Sequence, residues 1–275
     1  MTADLPPSLP LLQKLGVTGW PFPRNPSLPD LFHFPQLDEL EARLDYAHTL
    51  KGFALVTGEP GSGKSTALSL FAHRLDKTHH PVLYLADSRL TPSEFYAAIL
   101  EHFGVHPVRN ATRRRRQFQV LMTDMAESQA VFPVIMIDEA HELSRLMIQE
   151  LRYVQNLGLD AGSAFTLVLS GQSEIRAELR MKDLEAVSQR VTVRCHLGPL
   201  DTDEVDAYLR HGLKRCSIDR TIFTEPAVAM LHAKSRGLMR KVGTLATQAL
   251  LDAAATGRDI VDADNVERAF LDVEE

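Results

Sequence analysis

Apolar runs of strand length alternate with amphipathic stretches of helical period up to about residue 200. The strand patterns cover 53–57, 81–87, the start of 133–143, 164–172 and 190–196. The helical patterns cover 36–50, 64–75, 91–104, 113–129 and 144–157. Regular alternation of this kind predicts an α/β fold, with a five-stranded parallel sheet covered by helices on both faces.

After Pro199 the pattern is helical throughout, with segments at 201–215, 224–237, 239–255 and 262–272. Asp201 and Glu204 have the spacing of a capping box. Residues 1–35 are rich in proline, and we expect an irregular arm there. We therefore predict three parts: an N-terminal arm at 1–35, an α/β core at 36–200 and a small helical lid at 201–275.

The arm carries four aromatic residues: Trp20, Phe22, Phe32 and Phe34. Two interpretations are open. The aromatic side chains could anchor the arm to the core, or the segment "LFHFP" could border the adenine of a bound nucleotide.

The composition of the 275-residue chain is that of a globular protein without a strong charge bias, at 24% charged residues and a net charge of −6. A uniformly basic nucleic-acid-binding surface is therefore not expected. The central apolar run "VFPVIMI" is far shorter than the roughly 20 residues that span a bilayer, and "MTADLPPSLP" lacks the features of a signal peptide. With only two cysteines and no metal-binding spacing, we expect a cytoplasmic protein with no membrane contact.

The segment "GEPGSGKST" follows the first strand and opens a helix. It fits the phosphate-binding loop G-x-x-x-x-G-K-[ST], or Walker A motif. Backbone N–H groups and a helix N-terminus neutralise phosphate oxygens, and glycines allow the close approach. Lys64 is expected to reach the β- and γ-phosphates and Ser65 to ligate Mg²⁺. The predicted ATP-binding residues are Gly58, Glu59, Pro60, Gly61, Ser62, Gly63, Lys64, Ser65 and Thr66.

A second motif, "VIMIDEAH", brings two carboxylates to the end of an apolar strand. This is the form of a Walker B motif. Asp138 is expected to hold the Mg²⁺ ion with Ser65, directly or through water. Glu139 is expected to polarise the attacking water, which indicates ATP hydrolysis in addition to binding.

Together these motifs resemble the AAA+ family. The resemblance implies a polar sensor at the end of the fourth strand, which is Gln172 or Ser170. It implies an arginine before the fifth strand that acts on the neighbouring subunit's nucleotide, which is Arg190, with Arg194 as the competitor. In "RGLMRKV" it implies a lid arginine near the γ-phosphate, Arg240. An arginine acting in trans implies a homo-oligomer, whether ring or filament.

The resemblance narrows to the ExeA-like ATPases through "GVTGWPFPRNP", "LFHFPQ", "GFALVTGEPGSGKST", "IDEAHEL", "GQSEIR" and "SRGLMRKV". Some members of that family serve type II secretion and carry a membrane span and a wall-binding region after the ATPase module. The short members resemble the transposition ATPases TnsC, MuB and IstB. Those proteins assemble on double-stranded DNA in the ATP state and recruit or activate a transposase.

The stretch "HPVRNATRRRRQFQ" is the strongest local positive charge in the chain. Guanidinium groups match phosphate geometry, so sequence-independent contact with the DNA backbone is expected. Consecutive helical positions point about 100° apart, so not all of them can face one groove. A solvated helix start or a site for an acidic partner is the alternative. The candidate DNA-binding residues are Arg109, Arg113, Arg114, Arg115 and Arg116.

Three functions follow. The first is an ATP-dependent assembly factor for transposition on duplex DNA. The second is an ExeA-like ATPase that remodels a secretion or cell-envelope protein, against which the lack of a membrane segment weighs. The third is a helicase-loader or initiator-type replication ATPase, against which the lack of a DNA-binding domain after the lid weighs.

Overall fold

The computed structural model describes residues 9–86, 89–154 and 163–274. These residues fall into two compact units, which are described separately. The α/β unit comprises 36–59 and 64–197, and the helical unit comprises 1–35, 60–63 and 198–275. The predicted three-part division stays a prediction.

The α/β unit is built on one parallel five-stranded sheet of order β2-β3-β4-β1-β5. Its strands are β1 (Phe53–Gly58), β2 (Val82–Leu85), β3 (Val134–Ile137), β4 (Thr166–Gly171) and β5 (Val191–Leu197). The longer helices are α2 (Pro35–Thr49), α3 (Lys64–Arg74), α4 (Pro92–His102), α5 (Ala111–Ser128) and α6 (Arg145–Val154). Two short helices, α7 (Glu174–Glu178) and α8 (Glu185–Ser188), lie between β4 and β5. This architecture confirms the predicted α/β fold class.

The central strands explain why the strand patterns are continuous in the sequence. Every residue of β1, β3 and β4 is buried, as expected where helices cover both faces. β5 lies at the sheet edge, and its buried residues alternate with exposed ones. Because parallel strands end at the same edge, the Walker A and Walker B motifs lie beyond the carboxyl ends of β1 and β3.

Local capping sets where the helices of the α/β unit begin. Thr91 and Glu94 form a complete capping box at the start of α4, with Pro92 in the first turn. The α5 helix is capped by Asn110, whose side chain accepts a hydrogen bond from the N–H of Arg113.

The helical unit contains α1 (Leu9–Lys14), α9 (Thr202–Arg215), α10 (Glu225–Ser235), α11 (Met239–Ala255) and α12 (Ala263–Glu274). The capping box of Asp201 and Glu204 is confirmed at the start of α9. The α1 helix and a 3₁₀ turn at 28–30 correct the expectation of a wholly irregular arm. Leu12 in α1 and the nearby Val17 are fully buried, and this burial accounts for the order.

Phe22 of the arm sits against two glycines inside helices. A Cβ at Gly212 of α9 would lie 2.4 Å from the Phe22 ring, and one at Gly243 of α11 would lie 3.2 Å from the Phe22 Cβ. The Phe22 and Tyr208 rings are 5.3 Å apart, and Phe32 packs on Tyr208 and His211. These two aromatic residues of the arm therefore pack on helices of their own unit. A border to the adenine stays a prediction.

Most helix and strand positions agree with the sequence patterns to within a few residues. The second strand is shorter than expected, and the predicted end at Asp87 lies outside the described residues. The same holds for 155–157, the predicted end of α6. The short helices α7 and α8 were not predicted, because five and four residues are too few to show a helical repeat of apolar positions.

Candidate nucleotide-binding site

The Walker A segment is a loop between β1, which ends at Gly58, and α3, which begins at Lys64. Gly61 and Gly63 have φ values of +85° and +103°, which residues with a Cβ rarely adopt. In the α/β unit, the Lys64 Nζ donates hydrogen bonds to the carbonyls of Gly58 at 2.9 Å and Glu59 at 3.1 Å. The ammonium group is thereby held by the loop that surrounds it.

Two observations fit this loop to phosphate groups. The Ser62 Oγ is buried and finds no hydrogen-bond partner among the described residues, so the fold has left a polar atom for a ligand to satisfy. The Lys64 ammonium is buried beside two loop carbonyls, and an anion is a stronger partner for ammonium than a carbonyl.

Asp138, directly after β3, accepts four hydrogen bonds within the α/β unit. Its Oδ2 accepts from the Ser65 Oγ at 2.9 Å and from the Tyr84 hydroxyl. Its Oδ1 accepts from the Ser170 Oγ at 2.7 Å and from the Glu139 N–H at 2.9 Å. Four donors therefore hold this side chain in one position.

These contacts set the charge of the site. Burial alone would raise the pKa of Asp138, but the hydrogen bonds from Tyr84, Ser170, the Glu139 N–H and Ser65 outweigh burial and hold its pKa below the usual range. Asp138 is therefore ionised at neutral pH. An anionic carboxylate beside a hydroxyl is a donor set of hard oxygens, which fits Mg²⁺.

Glu139 has a left-handed backbone, with φ +48° and ψ +38°, which is uncommon for a residue with a side chain. Its carboxylate is half exposed. A Cβ at Gly171, the last residue of β4, would lie 3.1 Å from the backbone nitrogen of His141. A glycine therefore lets the Walker B turn pack closely on the end of β4.

The two sensor candidates have different partners. The Ser170 hydroxyl contacts Asp138, whereas the side chain of Gln172 lies 2.9 Å from the Nε2 of His141. The Nδ1 of His141 is in turn 3.5 Å from a Glu139 oxygen. Ser170 thus contacts the carboxylate predicted to hold Mg²⁺, and Gln172 is connected to the candidate base.

Both candidate finger arginines bind backbone within their own segment. The Arg190 Nη1 donates to the Ala186 carbonyl at 2.9 Å, and the Arg194 Nη2 donates to the Ser188 side chain at 2.9 Å. Among the described residues, one hydrogen bond holds the Arg190 guanidinium, and two hold that of Arg194, to the carbonyl and the hydroxyl of Ser188. Arg190 therefore breaks fewer hydrogen bonds than Arg194 when its side chain turns toward a ligand. Its role in trans stays a prediction.

Arg240 lies in the first turn of α11, in the helical unit. Its N–H donates to the Gly61 carbonyl at 3.2 Å, and a Cβ at Gly61 would lie 2.8 Å from the Arg240 Cβ. Gly237 precedes it with φ +68°, where a Cβ would lie 2.1 Å from the Leu200 carbonyl oxygen. Both glycines are needed to place Arg240 against the tip of the phosphate-binding loop.

The arginine run divides into two groups. The Arg114 guanidinium donates to the carbonyl of Val108 at 3.0 Å and to the Ser93 Oγ at 2.7 Å. Arg115 is 3.3 Å from Glu150 and stacks 4.4 Å from the centre of the Tyr153 ring. These two arginines hold α5 against its neighbours.

The other three arginines face solvent. Arg109, Arg113 and Arg116 are exposed, and none of the described residues pairs with their guanidinium groups. Arg113 and Arg116 are three positions apart and so share one side of α5, while Arg109 directly precedes the cap residue Asn110. The first turn of α5 has no acidic residue, and its amide dipoles add to the positive charge.

Tyr84 is a site residue that the sequence patterns did not reveal. It lies in the edge strand β2, paired with Met136 of β3, and its hydroxyl reaches Asp138. Burial and the Asp138 carboxylate raise the pKa of Tyr84, so its hydroxyl remains a donor. A tyrosine in a short strand has an ordinary structural explanation, and only the strand order shows that it neighbours the Walker B motif.

Comparison with known proteins indicates the class of protein. Residues 47–179 match the family model described as "AAA domain". These residues, which include both Walker motifs, are similar to the AAA domain of that family. The sequence of the chain is 32% identical over 248 residues to General secretion pathway protein A of Aeromonas hydrophila, which supports the ExeA-like type. That alignment covers 89% of this chain, which spans less than half (45%) of the relative's length.

Several solved structures share the fold of this chain. Cdc6p of Pyrobaculum aerophilum has a TM-score of 0.67 at 17% identity, covering 87% of this chain and 67% of its own. The Drosophila ORC bound to DNA has a TM-score of 0.67 at 14% identity, covering 100% of this chain and 68% of its own. The Thermotoga maritima RuvB Holliday junction branch migration motor has a TM-score of 0.55 at 19% identity, covering 85% of this chain and 68% of its own. The predicted P-loop fold is confirmed, and the match to an AAA domain supports the predicted ATPase class.

None of the helices in the described part of the chain is long and apolar enough to cross a membrane. The predicted cytoplasmic location and the resemblance to transposition ATPases stay predictions.

Proposed function

We propose that this chain is a Mg²⁺-dependent AAA+ ATPase that assembles on duplex DNA in its ATP state and recruits or activates a transposase. One observation carries the DNA contact: three unpaired, exposed arginines gathered at the N-terminal end of α5. In a chain of net charge −6 this cluster is a local site for polyanions. Three guanidinium groups at a helix N-terminus fit phosphates of any sequence.

The proposed chemistry assigns one task to each side chain. Lys64, with the glycine-rich backbone, binds the β- and γ-phosphates, and Ser65 with Asp138 holds Mg²⁺, which offsets phosphate charge when bound. Glu139 accepts the proton of the attacking water. Gln172 orients this reaction centre, and Arg240 stabilises charge on the γ-phosphate. The neighbouring subunit supplies Arg190.

Two of the structural neighbours agree with contact to DNA. One neighbour was solved as ORC bound to DNA and another is named a Holliday junction branch migration motor. Both are far below the identity at which function transfers, so they support the proposal only in outline. A replication role of the helicase-loader type shares the DNA contact and is the related alternative.

The second candidate function is supported at least as well by sequence similarity. The relative named General secretion pathway protein A aligns with most of this chain. On this alternative the chain remodels a secretion or cell-envelope protein, and the arginines at α5 bind an acidic protein surface.

Fluorescence anisotropy with labelled duplex DNA of random sequence separates these functions. Binding is measured without nucleotide, with ADP and with a slowly hydrolysed ATP analogue. Tight binding confined to the ATP analogue and weakened by salt supports assembly on DNA. Absence of binding in every nucleotide state would favour the protein-remodelling alternative.

The role of Arg190 in trans is tested by mixing two inactive variants. Glu139→Gln removes the base but retains nucleotide binding, assembly and Arg190, whereas Arg190→Ala retains the base. If Arg190 acts on a neighbouring subunit, the mixture regains ATP hydrolysis that neither variant shows alone. Failure to regain activity, or full activity in a monomer, would contradict the proposed oligomeric site. Arg194→Ala in place of Arg190→Ala is the matched control.

A further inference from the structure

His141 lies between two residues with proposed roles in hydrolysis. Its Nε2 is 2.9 Å from the side-chain nitrogen of Gln172, and its Nδ1 is 3.5 Å from the Oε2 of Glu139. The imidazole is largely buried, whereas the Glu139 carboxylate is half exposed. One buried ring therefore contacts both the candidate sensor and the candidate base.

The surrounding backbone fixes where this ring lies. Gly171 allows the His141 backbone nitrogen to approach the end of β4, and the backbone N–H of Gln172 donates a hydrogen bond to the ring's Nδ1 at 3.4 Å. Glu139, by contrast, leaves the strand in a left-handed conformation, and its side chain makes no capping hydrogen bond. Its carboxylate needs a partner to be oriented, and His141 is at ion-pair distance.

Imidazole chemistry allows the ring to link its two neighbours. A neutral imidazole has one N–H donor and one acceptor nitrogen. When Nε2 accepts from the Gln172 amide, the proton lies on Nδ1 and points toward the negative Glu139. When Gln172 instead presents its carbonyl oxygen, Nε2 takes the proton, and the lone pair on Nδ1 accepts the Gln172 backbone N–H and repels the carboxylate. The orientation of one amide therefore decides whether Glu139 is attracted or repelled.

We propose that His141 is a positioning residue that couples the side chain of Gln172 to the carboxylate of Glu139. This inference rests on the proposed ATPase function, because Glu139 is assigned there as the base. On this proposal, Gln172 acts on the attacking water indirectly, through the His141 ring and the Glu139 carboxylate. His141 itself takes no proton from the substrate.

A double-mutant cycle tests the coupling. The variants are His141→Ala, Gln172→Ala and the pair, with His141→Asn as the conservative variant that retains a donor and an acceptor. We expect His141→Ala to lower kcat about 10-fold, a part of the 10²–10⁴ that a positioned base contributes, with the affinity for an ATP analogue unchanged within about 2-fold. Gln172→Ala should cost little more in the His141→Ala background, and His141→Asn should recover part of kcat.

Multiplicative losses in the pair, or a fall in nucleotide affinity together with kcat, would overturn the proposal. A further readout is independent of turnover: the imidazole ¹⁵N shifts of His141, assigned by their loss in His141→Asn. Gln172→Ala and Glu139→Gln should each shift the Nδ1 and Nε2 signals. Unchanged signals in both variants would contradict the coupling even if the ATPase assignment holds, and shifted signals in a chain that hydrolyses no ATP would retain the coupling while rejecting the proposed function.

Discussion

The Walker B end of the sheet and the N-terminal end of α5 are both polar clusters of the α/β unit, but they are built differently. At the first, four donors hold Asp138 and close glycine contacts hold the turn. At the second, Arg114 and Arg115 are paired, while Arg109, Arg113 and Arg116 face solvent. The first arrangement suits chemistry that needs a fixed geometry, and the second suits a ligand bound through charge alone.

The largest expected effect concerns the fixed cluster. Lys64→Ala removes the ammonium group that the loop carbonyls hold, and no other buried cation replaces it within the described loop. We expect ATP affinity to fall at least about 100-fold, the upper range for a charge-assisted contact, and assembly to be lost with it. Calorimetric titration with an ATP analogue measures this. Lys77→Ala, at an exposed lysine, is the control, and equal binding by both variants would contradict the assignment.

The next effect separates binding from hydrolysis. Glu139→Gln removes the base without removing the side chain, so kcat should fall about 10²–10⁴-fold while nucleotide affinity changes little. The assembled state should persist, because its ATP is no longer hydrolysed. Steady-state turnover and particle size measure the two outcomes. Glu142→Gln, an exposed carboxylate on the same turn, serves as control, and rapid turnover by Glu139→Gln would show that another group is the base.

The arginine cluster should show an intermediate effect with a different signature. Replacing Arg109, Arg113 and Arg116 by alanine should weaken duplex binding and lower the slope of log affinity against log salt by about 2–3, since each phosphate contact contributes about 0.9. Thermal stability should be nearly unchanged. Replacing Arg114 and Arg115 instead should lower the melting temperature and change the salt slope less. The reverse pattern would mean that the paired arginines are the DNA-binding ones.

The smallest expected effect tests a polar group at the opposite end of the sheet. Burial lowers the pKa of His48 below its ordinary value of 6.5, and electrostatic repulsion from His80 and Lys51 lowers it further. The Asp45 carboxylate acts in the opposite direction. The unfolded chain therefore binds a proton that the folded protein does not, and the free energy of unfolding decreases as pH falls through about 6.5. His48→Gln should reduce the loss of melting temperature on acidification by roughly 1–2 °C. An equal loss in both proteins would show that His48 does not contribute.

The sequence predicted the fixed cluster better than the open one, for a physical reason. Phosphate binding requires particular residues at particular spacings, so the residues from Gly58 to Ser65 and the pair Asp138–Glu139 could be recognised directly. Tyr84 could not be recognised, because it contacts Asp138 through strand order and not through chain proximity. His141 was visible in the motif, but its contact with Gln172 depends on the absence of a side chain at Gly171.

The arginine run shows the opposite case. Its charge was evident from composition, and so was the limit that consecutive helical residues cannot all face one groove. Which residues are exposed depends on tertiary partners, Ser93 for Arg114 and Glu150 for Arg115, which no local pattern encodes. Likewise, the helix α1 forms in a proline-rich arm because Leu12 is buried, where local propensity predicted none.

The most direct test of the central claim is the mass of the protein on duplex DNA of random sequence, measured by analytical ultracentrifugation with ADP and with a slowly hydrolysed ATP analogue. The account predicts large multisubunit particles on DNA with the analogue, small species with ADP, and neither large particles nor DNA binding for Lys64→Ala. A wild-type protein that stays the same size and off the DNA in both nucleotide states would contradict it.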